Sequence, residues 1–377
     1  MRLHLLTYTG TGWSGPVPSI DDPRRTLIVV FGATKFLGQS LALEGLLRSF
    51  PGAHSIGCST AGEIFGSTIL DDSLVVAILE FERTGLETAS ARVQDANGSF
   101  AAGQSVGQSL LRPDLRAVMV LSDGLRVNGS ELVRGLNNVL PSSVVVTGGL
   151  AGDGSRFETT WVLESSRLQS GLVTAVGFYG TAVRIGHGSR GGWDIFGPER
   201  RVTRSAGNVL FELDDKPALD LYKGYLGERA AGLPATGLLF PLAVREHADD
   251  KRHLVRTILA IDETAKSMTF AGDIPTGSLA QLMSANFDRL VEGASAAAVA
   301  TAVSPGQGPT LAIAISCVGR RLVLGERAEE EIEATADVFP AGTSQIGFYS
   351  YGEISPFATG ACDLHNQTMT LTTIGEA

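Results

Sequence analysis

Residues 26–66, TLIVVFGATKFLGQSLALEGLLRSFPGAHSIGCSTAGEIFG, carry the organisation of the chain in miniature. TLIVVFGAT (26–34) is a β-branched apolar run and reads as a strand, whereas FLGQSLALEGLLRSF (36–50) spaces its apolar residues at helical intervals. PGAHSIGCSTAGEIFG (51–66) supplies a second strand and a turn of small residues that closes on Gly62-Glu63. SLVVAILEF (73–81) follows as a third strand-like run.

The same order recurs near the C-terminus: TLAIAISCVG (310–319), a helical ERAEEEIEATADVF (326–339), PAGTSQIGFYSYGEISP (340–356) and the alternating NQTMTLTTI (366–374). The two segments share FP, then IG, then four residues, then GEI. A weaker third copy lies between them: RAVMVLSDG (116–124), SELVRGLNNVL (130–140), PSSVVVTGGLAGDG (141–154), TTWVLES (159–165) and GLVTAVGFYG (171–180), with Gly152-Asp153 in place of Gly62-Glu63 and Gly352-Glu353. Three matches in one element order point to a duplicated strand-helix-strand-turn-strand unit.

Residues 206–272 form a less clear fourth unit, a short strand and helix followed by a meander. SANFDRLVEGASAAAVATAV (284–303) reads as a helix. RIGHGSRGGWDIFGPERRVTR (184–204), rich in Gly and Arg, breaks the periodicity and is expected to be a linker or a mobile surface segment. Alternating helices and hairpin strands predict an α+β fold, with helix-covered mixed sheets in two associated domains.

Composition narrows the function. With 377 residues the chain can bury a sizeable core without disulfides. Thirty Lys and Arg against 40 Asp and Glu give a net charge of −10, and no basic cluster interrupts it, so nucleic acid is not expected as a partner. Glycine, at 46 residues, signals many tight turns and close backbone approaches. The three cysteines, Cys58, Cys317 and Cys362, make no paired framework and suit a reducing compartment, so a cytoplasmic location is expected. No window has the run of apolar residues that a membrane span requires.

The turns GCSTAGE, TGGLAGDG and GFYSYGE each follow a strand with small residues and end on Gly plus an acid. Small residues let a ligand approach backbone N–H groups, and the acid accepts from an ammonium or hydroxyl. The bland alternative is that the glycines only permit positive φ and the acids cap local turns. No GxxxxGK[ST] loop occurs, and GCSTA fails the GxSxG pattern of a nucleophile elbow. Cys58 with His54, and Cys362 with His365, offer sequence-local Cys/His pairs without an orienting third group, which leaves a thiol-dependent enzyme as a minor reading. The six histidines have no zinc-ligand spacing. One histidine in an apolar pocket suffices for haem, and His365 is the first candidate. Cys317 precedes Arg320 and Arg321, whose charge is expected to lower its pKa and make it the reactive thiol.

GCSTAGEI (57–64), GGLAGDGSRF (148–157), AGNVLFELDDKPALDLYKGYLGE (206–228), CVGR (317–320), GFYSYGEISP (347–356) and CDLHNQTMTLT (362–372) together resemble the FIST proteins, in the expected order from about residue 25 to 374. The resemblance implies an N-terminal extension (1–24), a FIST N-terminal domain (25–205) and a FIST C-terminal domain (206–377). It also implies a ligand-sensing module of signal transduction for small ligands such as amino acids, working with a kinase, cyclase or chemoreceptor partner. Some members resemble haem-binding nitric oxide sensors, which makes haem the alternative to a cofactor-free protein. The expectation is therefore binding without turnover in a crevice between the two regions. The candidate ligand-binding residues are Cys58, Ser59, Thr60, Glu63, Gly149, Asp153, Cys317, Arg320, Tyr349, Tyr351, Glu353, His365 and Asn366. No catalytic residue and no metal ligand is expected among them.

Overall fold

A computed structural model describes residues 1–250, 253–303, 308–356 and 360–377. Its first part comprises β1 (Arg2–Tyr8), β2 (Thr26–Gly32), helix α1 (Leu41–Arg48), β3 (His54–Ser59), a hairpin of β4 (Glu63–Phe65) and β5 (Thr68–Leu70), and β6 (Leu74–Glu80). The second comprises β7 (Gly85–Arg92), α2 (Ser99–Leu110), β8 (Leu115–Ser122), α3 (Gly129–Val139), β9 (Val145–Leu150), a hairpin of β10 (Val162–Glu164) and β11 (Arg167–Gln169), and β12 (Leu172–Tyr179). Then come β13 (Val183–Arg190) and an inserted segment with strands β14 to β21 between Asp194 and Ser284 and helix α4 (Ala218–Leu226). The last part has α5 (Phe287–Ala300), β22 (Thr310–Cys317), α6 (Val318–Leu324), α7 (Ala328–Ala336), β23 (Thr343–Ser350), a hairpin of β24 (Gly352–Pro356) and β25 (Cys362–His365), and β26 (Met369–Glu376).

Three six-stranded sheets result, with orders β1-β6-β2-β3-β10-β11, β7-β12-β8-β9-β24-β25 and β13-β26-β22-β23-β4-β5. In each, a parallel pair (β2 with β3, β8 with β9, β22 with β23) lies at the centre, and β2 and β22 are buried at every residue. Continuous runs such as TLIVVFG and TLAIAISC are what a strand covered on both faces requires. Each part gives its short hairpin away: β4 pairs with β23, β10 with β3 and β24 with β9, so every sheet is completed by a neighbour. The inner faces of the sheets meet in one apolar cluster in which Phe31 and Phe348 lie 4.6 Å apart. Helices α2 and α3 cover the second sheet and α5 and α7 pack on the third. The amphipathic α3 buries Leu132, Val133 and Leu136 and is capped by Asn128, whose side chain accepts from the Glu131 N–H at 3.1 Å.

The inserted segment forms an eight-stranded sheet of its own, in which the short β16 (Lys216–Pro217) pairs with β15 (Val209–Leu213), and its core is built around Tyr222, Phe240 and Phe270. Buried Arg256 ties it to the second sheet, donating to the carbonyls of Asp273 and Leu364, both at 3.0 Å.

One expectation needs correction. The stretch 184–204 is neither linker nor loose surface: β13 pairs with β26 along its length and β14 (Asp194–Ala206) belongs to the inserted sheet. Its glycines serve proximity. A methyl group on Gly186 or Gly188 would sit 2.2 or 2.1 Å from the carbonyl oxygens of Thr301 and Ala297, so only glycine lets α5 and the turn that follows it lie directly on the strand. Within residues 1–24, β1 is the edge strand of the first sheet.

The parallel pairs impose the same demand. A methyl on Gly347 would lie 1.8 Å from the Ala314 carbonyl oxygen, while one on Gly45 in α1 would meet nothing within 4 Å. Gly347→Ala is expected to lower unfolding stability by about 2–3 kcal/mol through overpacking, and Gly45→Ala to raise it by about 0.5–1 kcal/mol. Urea unfolding midpoints of the two variants check this, and equal behaviour would refute the close packing at Gly347.

Candidate functional site

The three Gly-acid turns meet. The Ala61 N–H donates to the Tyr349 carbonyl at 2.8 Å, the Tyr351 N–H to the Leu150 carbonyl at 3.1 Å, and the Gly152 N–H to the Ser59 carbonyl at 3.0 Å. The first turn therefore leans on the third, the third on the second and the second on the first, which closes a ring of backbone hydrogen bonds. Small residues make the approach possible: a methyl on Gly149 would lie 3.1 Å from the Gly352 carbonyl oxygen.

The acids close the turns from inside. Glu63 accepts from the Thr60 hydroxyl and from the N–H and hydroxyl of Ser73, at 3.1 and 2.7 Å. Glu353 is held in the same way, accepting from the Ser350 hydroxyl at 2.7 Å and from the N–H and hydroxyl of Thr368 at 3.1 and 2.9 Å. Burial pushes both carboxyls up, Glu63 to about 7 and Glu353 to about 8, against the pull of those hydrogen bonds. Asp153 differs. Burial raises it too, but the N–H groups of Phe157, Glu158 and Thr159, at 2.8, 2.8 and 2.9 Å, and the Tyr351 hydroxyl hold it below the usual carboxylate value.

Around the ring lies a second buried layer. Glu331 pairs with Arg320 at 2.7 Å, both fully buried, and accepts from the Tyr349 and Ser316 hydroxyls, each at 2.9 Å. Arg320 also donates to the carbonyls of Gly191 and Leu290. Arg321 forks onto Asp71 at 2.8 and 2.7 Å, donates to the Ala61 carbonyl at 2.6 Å and lies over the Tyr349 ring.

The expected site residues are thus all buried, Tyr351 at 8% included, and the turns form a closed hub in place of an open crevice. Cys317 is corrected in sign: burial and then the nearby Glu353 push its thiol well up, outweighing the downward pull of Arg320, which is itself paired with Glu331. Cys58 is likewise pushed far up, and Cys362 up to about 12 with its thiol on the Asn137 side chain at 3.3 Å. Cys58 and His54 do not pair. Cys58 is four strand residues, about 13 Å, from His54, whose ring faces the Thr88 hydroxyl at 3.5 Å.

His365 is buried, with its Nε2 2.9 Å from the Ser355 carbonyl. Asn366 beside it is fully buried, and neither its amide oxygen nor its nitrogen has a hydrogen-bond partner among the described residues. No group of three or more His, Cys, Asp or Glu side chains among the described residues has a metal-binding arrangement.

Ser73, Thr368, Glu331, Arg321 and Asp71 are the hub residues that sequence reading misses. Ser73 and Thr368 had a signal, since each is the hydroxyl residue immediately before the last strand of its unit, in DDSLVV and NQTMTL.

A chain of interlocked sheets around a buried ring of Gly-acid turns is the class this fold defines. Residues 26–216 match the FIST N domain and residues 218–356 the FIST C domain, and the chain belongs to the FIST family. FIST domains are associated with small-ligand sensing in signal transduction. Two relatives from Mycobacterium tuberculosis, uncharacterized protein MT0656 (strain CDC 1551 / Oshkosh) and uncharacterized protein Rv0628c (strain ATCC 25618 / H37Rv), are each 25% identical over 358 residues, covering 92% of this chain and 90% of theirs. Among solved structures, cyanuric acid hydrolase from A. caulinodans aligns over 100% of this chain and 98% of its own at 9% identity and a TM-score of 0.39.

The hub carboxyls make stability depend on pH. Between about pH 4.5, where an unfolded Glu releases its proton, and the folded values of about 7 and 8, the folded chain holds protons the unfolded chain has lost. These two groups therefore lower stability as pH rises through that window. Glu63→Gln and Glu353→Gln keep both sets of contacts, with the amide nitrogen turned to Thr60 or Ser350, and are each expected to recover about 3 kcal/mol of the loss. Urea midpoints at pH 5 and pH 8.5 check it, and variants that lose as much stability as the parent would refute the assignment.

Proposed function

We propose that this chain is a cytoplasmic sensory protein that binds a small polar molecule, an amino acid or similar metabolite, without turning it over, and passes its state to a separate kinase, cyclase or chemoreceptor partner. We read its three parts as copies of one duplicated unit, grouped as an N-terminal region (25–205) and a C-terminal region (206–377). The observation that carries the sensory reading is the hub: because each turn leans on the next sheet, a molecule lodged between two sheets acts on the third. Three buried thiols with raised pKa values favour binding over thiol catalysis. The described residues include no helix long and apolar enough to cross a membrane. The surroundings of His365 count against the nitric oxide sensor reading.

Thermal unfolding against each standard amino acid and a set of small polar metabolites, at millimolar concentration, tests the proposal. At 100 times its dissociation constant a true ligand adds about 2.7 kcal/mol of apparent stability, and the compound that does so is expected to be recovered unchanged after incubation. A panel without a stabiliser, or chemical conversion of the stabiliser, would overturn it.

A further inference from the structure

A cleft of about 760 Å³ opens between the first and second sheets, away from the hub. One wall is β3 with the tip of the β10–β11 hairpin, the other is β7 with β12, and Ile28, Leu47, Phe50 and Leu163 give it an apolar floor. Its volume is that of a small-molecule site.

Two polar groups in it have no partner among the described residues, and a held carboxylate stands beside them. Thr174 is 3% exposed and lines the cleft, yet its hydroxyl has no hydrogen-bond partner among the described residues. A buried hydroxyl left unpaired costs about 1–3 kcal/mol. Glu164 and Arg167 are register partners across the two-residue tip Ser165–Ser166, so their side chains leave the hairpin on one face. Both line the cleft and they form no ion pair with each other. Glu164 is held in place by the Ser90 hydroxyl and by Gln169 Nε2 at 2.9 Å, with Arg92 3.9 Å away. The Arg167 guanidinium has no partner among the described residues. Ser90 is the cross-strand partner of Thr174, which sets carboxylate and orphan hydroxyl on the same patch.

We infer that this cleft is the ligand site and that it takes a small zwitterion, its ammonium on Glu164, its carboxylate on Arg167 and a polar atom on the Thr174 hydroxyl, with the apolar part on the floor. The inference rests on the sensory reading and adds the place and the orientation. A dianion would meet Glu164 and a polyamine would meet Arg167, so only a molecule carrying both charges satisfies the hairpin tip.

The test uses the intact chain and three variants, Thr174→Val, Arg167→Gln and Glu164→Gln, in thermal titrations with the standard amino acids and with the deaminated and decarboxylated analogue of any that stabilises the parent. Thr174→Val is expected to leave the ligand-free protein as stable as the parent or more so, since the hydroxyl it removes is unpaired. Each variant is expected to weaken the stabilising amino acid about 10-fold or more, as loss of a charge-assisted contact of roughly 1.5–3 kcal/mol requires, and both analogues should fail on the parent. Equal stabilisation of parent and variants would overturn the cleft while leaving the sensory reading intact. A single-charge analogue binding as well as the amino acid would overturn the zwitterion. No response of the parent to any amino acid would remove both readings together.

Discussion

Everything in this chain hangs on the ring of backbone hydrogen bonds at Ala61, Gly152 and Tyr351. A buried N–H or C=O must find a partner, and here the partner always belongs to another sheet. The turns are therefore short of side chains for a reason beyond conformational freedom. Gly149 lies against the Gly352 carbonyl and Gly152 against Ala61, where a methyl would be 3.2 Å from the Ala61 side chain. Each hairpin that leaves the ring is delivered to the sheet next door, so no sheet is complete without the others.

The hub is regular in its backbone and irregular in its charges. Glu63 and Glu353 each face a hydroxyl three residues upstream and a hydroxyl residue at the head of the last strand, Ser73 or Thr368. In the second part that last position is Gly171, which has no hydroxyl to offer, and its N–H goes to Asp123 at 2.8 Å. Asp153 turns instead to the three N–H groups after Arg156 and stays ionised. The part whose sequence matches least well is thus the one whose acid has changed partners.

The strand runs, the helices and the meeting of the Gly-acid turns were legible because they rest on local periodicity and on a motif that recurs. The exchange of hairpins was not, since β4 and β23 lie some 280 residues apart in sequence and nothing in EIF names its partner. The segment 184–204 misled because composition cannot separate a glycine required by a turn from one required by a helix lying on it, as Gly186 and Gly188 are. Cys317 misled for a related reason: burial outweighs the pull of the adjacent Arg320, which is itself paired with Glu331. The hydroxyls were not legible, because Ser73 and Thr368, which satisfy Glu63 and Glu353, stand outside the turns.

The exchanged hairpins are not held alike. The third sheet holds its borrowed hairpin by three register pairs, Ile346 with Phe65 through Phe348 with Glu63, and the second holds its own by three, Gly352 with Leu150 through Ile354 with Gly148. The first sheet holds β10 by a single register pair, Val162 with Cys58, backed by the Trp161 N–H on the Ser59 hydroxyl at 3.0 Å. The β10–β11 hairpin is therefore the exchanged hairpin with the fewest register pairs, and it is the one that carries Glu164 and Arg167 into the cleft. Its tip is tied to β3 by the Ser55 hydroxyl on the Ser165 carbonyl at 2.5 Å. Ser59 lies at its root, donating its N–H to the Trp161 carbonyl and accepting the Gly152 N–H of the ring, so the residue that holds the start of the hairpin is also a member of the hub.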